Sequence, residues 1–368
     1  MWHWAFLFAA LVSFPALAAD SLHLISLLPD GNGGIHAFVR DSKRVFAVPV
    51  DPSGASHPEH VVTVRADLPL SGAFGIGRTT TGYVMTFNDP TLIAWLLPLR
   101  SDFSSDALQR PLGRDTPFPL VCNDDLCAVM RQENRTLLLV DAEATPRAEL
   151  PMSRDVAGIV GTSDGGFAVL KSQIPAPNTA QLVVEFINRA GQVSATSTVT
   201  TSDRYFLSVA IAPHPQGVAV FWNNGTPEVN AAIVLGDSTV AKQTVFVAPD
   251  LESYIHVAAG GGRYALALTT VVQIGVHAPS PINTPDIDAA YAMLLTESLD
   301  VLAGPTKLAP GAFSSGAEDV VASGDAFFAV FASPLYHILR IPFTGPIEPS
   351  ASKPLDLIPR GRRRSVTP

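Results

Sequence analysis

Short apolar runs and tight polar breaks alternate along almost the whole of this chain. Between residues 156 and 199 the runs read "VAGIV", "GGFAVLK", "AQLVVEFI" and, after "NRAGQ", "VSATSTV". Each is strand-length, rich in β-branched or aromatic residues, and bounded by Gly, Asp, Asn or Ser, which set turns. None shows the three-to-four spacing of an amphipathic helix. The pattern predicts antiparallel strands joined by hairpins.

The second run of each group recurs along the sequence. It is "GIHAFVR" at Ile35, "GYVMTFN" at Tyr83, "DLCAVMR" at Leu126 and "GFAVLKS" at Phe167. It returns as "GVAVFWN" at Val218, "RYALALT" at Tyr264 and "AFFAVFA" at Phe327. The steps between these residues are 48, 43, 41, 51, 46 and 63. A period of about 40 to 50 residues with four strands per unit is that of a β-propeller blade. Seven anchors predict an all-β, seven-bladed β-propeller of four-stranded antiparallel blades. Radial packing hides the sheet edges and apolar faces that lone four-stranded units would leave open. A β-sandwich array is the competing arrangement, but its repeats run nearer 100 residues. The long step has a local cause: "VHAPSPINTPDIDAAY", 276–291, carries three Pro as a loop between the second and third strands of blade six. Whether the ring closes with complete blades or with an exchanged edge strand is left open by the pattern.

In outline the repeats resemble those of secreted bacterial β-propeller proteins of unassigned function. There "DGGF-V-W" is followed by a strand and then "N/D-x-x-G". Blade four, "SDGGFAVLK…VVEFINRAGQV", carries the likeness most fully, and blade one's "RVFAVPVDPSG" is similar. The resemblance implies the fold and export; it carries no catalytic residue across.

The two ends and the composition agree with that picture. Residues 1–19 hold an uncharged apolar run followed by Ala16, Ala18 and Ala19, and so read as a secretory signal peptide. The n-region departs from the rule, offering His3 and no Lys or Arg. The remainder, 20–358, is expected to form one propeller domain, secreted or periplasmic and without a membrane span. Residues 359–368 are expected to form a basic, disordered C-terminal tail. Pro (31) and Gly (27) are frequent while charged residues make up 15%, which is too apolar for disorder and too broken for long helices. Without the four tail Arg, the formal charge of −9 becomes about −13 for the body. An acidic body argues against nucleic acid as a partner, because such affinity comes from neutralising phosphates. The expected partner is a protein or a small ligand, and the expected state a monomer.

Cys122 and Cys127 are the two cysteines and flank a hairpin turn in "LVCNDDLCAV". Cross-strand neighbours lie within disulfide reach, and export supplies oxidising conditions. A disulfide is predicted, contributing about 2 kcal/mol for so short a loop.

Several stretches imitate active sites. "GTSDG", 161–165, spells G-x-S-x-G, but a nucleophile elbow needs a strand, a sharp turn and then a helix. Here "GFAVLK" follows at once with strand periodicity, so Ser163 is read as a turn residue. Ser163-Asp164-Gly165 also lacks the spacing and the Trp of the Asp box of sialidase propellers. Asp30 and Asn32 in "DGNGG" suit calcium but lack the further oxygens such a site wants. His57, Glu59 and His60 stand in a proline-broken hairpin, where two His are not held one turn apart on a helix as in catalytic zinc sites.

One constellation is repeated rather than local. An acid stands just ahead of the first strand of each blade: Asp20, Asp67, Asp115, Asp155, Asp203, Glu252 and Asp319. Arg65, Arg114, Arg154 and Arg204 lie close by. First strands line a propeller's channel, so their starts gather round one mouth. Asp67, Asp115, Asp155, Asp203, Glu252 and Asp319 are therefore the candidate ligand- or cation-binding residues, with Ca²⁺ as the cation such a ring would hold. The plainer reading has each acid closing its own loop by backbone hydrogen bonds or pairing with its Arg. No cofactor is otherwise implied. The function expected is that of a non-catalytic binding or scaffold module with its ligand at the channel mouth. The alternative is a channel-mouth hydrolase or lyase using these acids, with His23 and His256 as bases.

Overall fold

The computed structural model describes residues 23–356, apart from 42, 67–72, 106, 154, 248–250, 273–286, 310–316 and 334. The signal-peptide and C-terminal-tail expectations, with Asp20, Asp67 and Arg154, lie outside the described residues.

Seven four-stranded antiparallel sheets follow one another along the chain. Blade one holds β1 (His23–Pro29), β2 (Ile35–Arg40), β3 (Val45–Val50) and β4 (Val62–Arg65). Blade two holds β5 (Phe74–Arg78), β6 (Gly82–Asn88), β7 (Ile93–Arg100) and β8 (Arg110–Arg114). Blade three is β9 (Pro117–Asn123), β10 (Leu126–Arg131), β11 (Thr136–Asp141) and β12 (Pro146–Pro151). Blade four is β13 (Val156–Gly161), β14 (Phe167–Ala176), β15 (Thr179–Ile187) and β16 (Val193–Ser202). Blade five is β17 (Ser208–His214), β18 (Gly217–Asn223), β19 (Glu228–Leu235) and β20 (Ser238–Val247). Blade six is β21 (Leu251–Gly260), β22 (Arg263–Val272), β23 (Ile287–Thr296) and β24 (Val301–Ala309). Blade seven is β25 (Ala317–Ser323), β26 (Ala326–Ser333), β27 (Leu335–Pro342) and β28 (Lys353–Pro354). The seven-bladed propeller predicted from the period is the observed fold.

The second strands are buried because they have a neighbouring blade on each face. Ile35, Tyr83, Leu126, Phe167, Val218, Tyr264 and Phe327, which set the sequence register, are all buried. Each apolar cluster draws on two adjacent blades. Phe221, Val229, Tyr264, Leu266 and Met293 fill the contact between blades five and six, and Phe38, Phe74, Met85 and Phe87 that between one and two. The cluster between blades two and three is smaller. There Cys122 and Cys127 pair directly across β9 and β10 and are disulfide-bonded, with Cα atoms 3.9 Å apart. A side chain at Gly77 of β5 would lie 2.5 Å from the Cys122 sulfur, so glycine lets the disulfide pack against blade two.

The expected insertion of blade six ends earlier than its sequence boundary. Residues 287–291 belong to β23, which pairs with the ten-residue β22. The last of its three prolines is at 285, so "IDAAY" keeps every backbone donor and can extend the sheet.

Closure uses complete blades. No strand is exchanged, since β1 to β4 and β25 to β28 form separate sheets. The seam is instead clasped by side chains and loops. The Leu27 N–H donates to Asp319 Oδ2 at 3.0 Å, and Ser323 Oγ to the Gly34 carbonyl at 2.6 Å. On the rim, Lys353 Nζ donates to the Ser53 carbonyl at 2.7 Å, and Asp356 N–H to Ser56 Oγ at 3.1 Å.

One turn recurs where the third strand hands over to the fourth. In five blades the first residue's N–H reaches the fifth residue's carbonyl, and the fourth N–H reaches back to the first carbonyl. The fourth position has positive φ and is occupied by Gly54, Phe103, Ala144, Gly191 and Leu299. This is the "N/D-x-x-G" element of the sequence. In three blades, however, a buried apolar side chain replaces the glycine.

Candidate functional site

Antiparallel connectivity places the ends of the first strands, and the turns into the second strands, at the channel mouth opposite the one where first strands begin. A cavity of 460 Å³ opens at this turn side, walled by blades three to six. Asn123, Gly161, His214 and Gly260 close the ends of β9, β13, β17 and β21, and Tyr264 and Glu297 reach in from blade six.

Several polar atoms here are already committed. Asn123 Nδ2 donates to the carbonyls of Thr162 and Gly166, both at 2.8 Å, which ties blade three to the blade-four turn. Ser163 Oγ donates to the Pro215 carbonyl at 2.9 Å. The turn around it is closed by Thr162 N–H to the Gly166 carbonyl and Gly165 N–H to the Thr162 carbonyl, each at 3.0 Å. Gly165 there has a φ of 80°. Ser163 is thus held in a hairpin turn, as its sequence context predicts. His214 Nδ1 accepts from the Gln216 N–H at 3.2 Å, and Arg263 donates to the Phe343 carbonyl.

Two groups are not committed. The Tyr264 hydroxyl is buried without a hydrogen-bond partner. Glu297 makes no hydrogen bond or ion pair among the described residues and sits near enough to raise the Tyr264 pKa further, after burial has done most of that. Burial lowers the His214 pKa, while Glu297 pulls the other way. A buried hydroxyl without a partner costs on the order of 1–3 kcal/mol, so the fold is carrying an unmet demand at this place.

The candidate acids at the opposite mouth are held differently from one another. Asp115 is buried and accepts from Thr116 N–H (2.8 Å), Glu133 N–H (3.0 Å), Asn134 Nδ2 (2.6 Å) and Arg131 Nε (2.9 Å). It therefore organises the loop between β10 and β11 and uses Arg131 rather than the adjacent Arg114. Asp203 is exposed, and Asp155 half-buried with its backbone carbonyl accepting from Ser172 N–H. Glu252 lies within β21 opposite Val271; its side chain is outside the described residues. Asp319 also stands inside its strand rather than ahead of it, where a bulge after Ala317 shifts the register. Its carboxylate accepts from Leu27 and Val320 N–H, yet dense surroundings raise its pKa to about 6. His256 and His23, on β21 and β1, have pKa values lowered by burial, His256 to about 4.

His57 bridges Glu59 Oε1 at 3.0 Å and Asp51 Oδ2 at 3.1 Å, bracing the link between β3 and β4. Asp30 Oδ1 accepts from Asn32 and Gly34 N–H and so caps its own turn. Among the described residues, no three His, Cys, Asp or Glu side chains gather as a metal centre requires, and no helix is long and apolar enough to cross a membrane.

Sequence reasoning placed the ligand at the mouth where the acids gather and missed the turn-side cavity. A signal was present. Among the seven register anchors, five are Ile, Leu, Phe or Val, and two are Tyr83 and Tyr264. A phenol at a position otherwise reserved for pure hydrocarbon needs a partner for its hydroxyl.

No protein-family model matches this sequence, and no curated protein matches it. The fold is similar to solved structures. One is the Cps50 (Swd1) β-propeller domain of Myceliophteria thermophila, at 12% identity and TM-score 0.54, covering 88% of this chain and 98% of that one. Another is a puromycin-hydrolyzing peptidase of Mycobacterium tuberculosis, at 12% identity and TM-score 0.56, covering 92% of this chain and 53% of that one. A third is prolyl oligopeptidase B from Galerina marginata, at 13% identity and TM-score 0.56, covering 93% and 52%. This chain thus spans about half the length of both peptidases. At these identities the likeness shows the fold alone: the chain is a β-propeller.

Proposed function

We propose that this propeller is an exported, non-catalytic binding module whose ligand enters the turn-side channel mouth. The observation that carries the reading is the Tyr264 hydroxyl, buried and without a partner beside the uncommitted Glu297 carboxylate in a 460 Å³ cavity. Buried polar groups are nearly always paired in folded proteins, and exceptions mark strain, function or an unseen partner. A carboxylate and a phenol together favour a ligand group that brings hydrogen-bond donors, such as an amine or a cluster of hydroxyls. A concave site with few convergent polar groups is also the usual form of a small-molecule site.

Binding rather than catalysis is favoured by Ser163, whose hydroxyl proton is engaged by a carbonyl rather than by a base. Fragment soaking of crystals tests the site directly. Amine- or hydroxyl-bearing fragments are expected against Glu297 and Tyr264, and their binding is expected to fall at least tenfold in Glu297→Gln. Fragments collecting only elsewhere on the molecule sink the proposal. Without ligand, Tyr264→Phe is expected to be neutral or to stabilise by up to about 1 kcal/mol, because it removes an unmet polar group. Urea unfolding measures this, and a loss above 1 kcal/mol would show that the hydroxyl is satisfied in the free protein.

A further inference from the structure

A second cavity, of 400 Å³, lies on the same turn side but between blades one and two. It is independent of the cavity walled by blades three to six. Its walls are polar: Asp30 and Asn32 from the turn after β1, His36 from β2, and Arg78 with Thr80 and Thr81 from "RTTTG".

Arg78 is half-buried, and its guanidinium makes no hydrogen bond or ion pair among the described residues. That contrasts with Arg44, Arg131, Arg147, Arg189 and Arg340, each of which is paired with an acid. Removing a guanidinium from water without a counter-charge is costly, and the usual remedy is an anion. The guanidinium is also seated. A Cβ at Gly31, where φ is +89°, would stand 2.1 Å from Arg78 Nη2, so the charged tip lies against bare backbone. A held guanidinium loses little freedom on binding, and its fork matches two oxygens at once.

The neighbours fit an oxyanion. Thr79 is committed, since its Oγ1 accepts from the Gly82 N–H at 3.1 Å. Thr80 and Thr81 are exposed and their hydroxyls make no hydrogen bond among the described residues. His36 bonds Tyr83 through Nδ1 at 3.1 Å. The acid in the wall, Asp30, lines the cleft without forming an ion pair with Arg78. Asp30 Oδ1 caps its own turn, and Oδ2 lies 2.8 Å from where a Gly34 Cβ would stand. Its charge remains close, however, which penalises a dianion more than a monoanion.

We propose that the cleft between blades one and two binds the carboxylate of a ligand, with Arg78 as the cation and Thr80 and Thr81 as hydroxyl donors. Two oxygens of a carboxylate match the guanidinium fork, and its single charge tolerates Asp30. Phosphate offers the same oxygen chemistry with a second charge, so it serves as the competing arm.

Thermal unfolding of the full chain at constant ionic strength, in acetate or in inorganic phosphate against chloride, tests this. Acetate is expected to raise the midpoint saturably, by about 2 °C at roughly 100 mM, and phosphate to do less. Arg78→Gln is expected to abolish the acetate response, and Arg78→Lys to weaken acetate binding at least threefold, because a point charge lacks the fork. A phosphate response without an acetate response overturns the carboxylate assignment. So does the absence of any response, or an equal response in wild type and Arg78→Gln, which is general ion exclusion. Should Arg78→Gln not fold, Arg78→Lys decides, and unchanged acetate affinity in it overturns the proposal.

Discussion

Asp319 and His256 stand on neighbouring innermost strands, and burial moves them in opposite directions. Asp319 rises from 3.8 to about 6, so the fold keeps a proton that the open chain has released. Its contribution to stability is full below pH 3.8 and is lost as pH rises through 6. His256 falls from 6.5 to about 4, so the fold excludes a proton that the open chain takes up. Its contribution is full above pH 6.5 and is lost as pH falls through 4. Over the same window the two oppose each other by about 3 kcal/mol each, and the intact protein is expected to show a shallow profile between pH 4 and 6.5. Glu318, raised by burial, adds to the first trend, and His23, lowered, to the second. Asp319→Asn should therefore lose stability toward pH 4 more steeply than wild type, and His256→Gln should gain it. Urea unfolding at pH 4, 5.5 and 7 reads this. Parallel profiles for all three proteins would mean that neither group is buried as described.

The recurrent turn between third and fourth strands shows how a repeat can depart from its rule. Leu299 occupies a left-handed position that glycine fits without strain, at a cost of about 1 kcal/mol. Its side chain is fully buried between blades five and six. Burial of a leucine outweighs that strain, so Leu299→Gly should destabilise by about 2–4 kcal/mol despite relieving the backbone. Denaturant melts check the sign, and a stabilised variant would show that conformation dominates packing here. At this scale most of the architecture was legible. Second strands flanked on both faces must be apolar throughout, so Ile35, Leu126, Phe167 and Val218 announce themselves in the sequence. Strand ends were less legible. Pairing with a long neighbour carried β23 back to Ile287, and a bulge placed Asp319 within β25.

The sites belong to the whole molecule. The larger cavity is made by turns that are far apart in sequence and meet only because blades three to six stand side by side in a ring. No local pattern records that meeting. The acids preceding the first strands were visible because they repeat, whereas Glu297 and His214 each occur once in their role. Tyr264 was visible, though as a core anchor, since periodicity reports burial and is blind to a hydroxyl. Ring closure was equally silent, because β28 is two residues long. Its strength should come from packing rather than from the rim bonds. Leu355, nearly buried at the seam, should cost about 2–4 kcal/mol on replacement by Ala. Lys353→Ala, which removes exposed bonds to Ser53, should cost under about 1 kcal/mol. Unfolding of both variants by urea orders the two effects, and the reverse order would place the seam's strength on the surface.

Because no sheet borrows a strand across the seam, the ring has no privileged starting point. Joining the present ends by a flexible linker and opening the chain between blades three and four would leave every sheet continuous in sequence. Such a circular permutant should refold to the same ring with both cavities intact. In a propeller sealed by an exchanged strand, the native chain already builds one sheet from its two distant ends, and its starting point is fixed by that clasp.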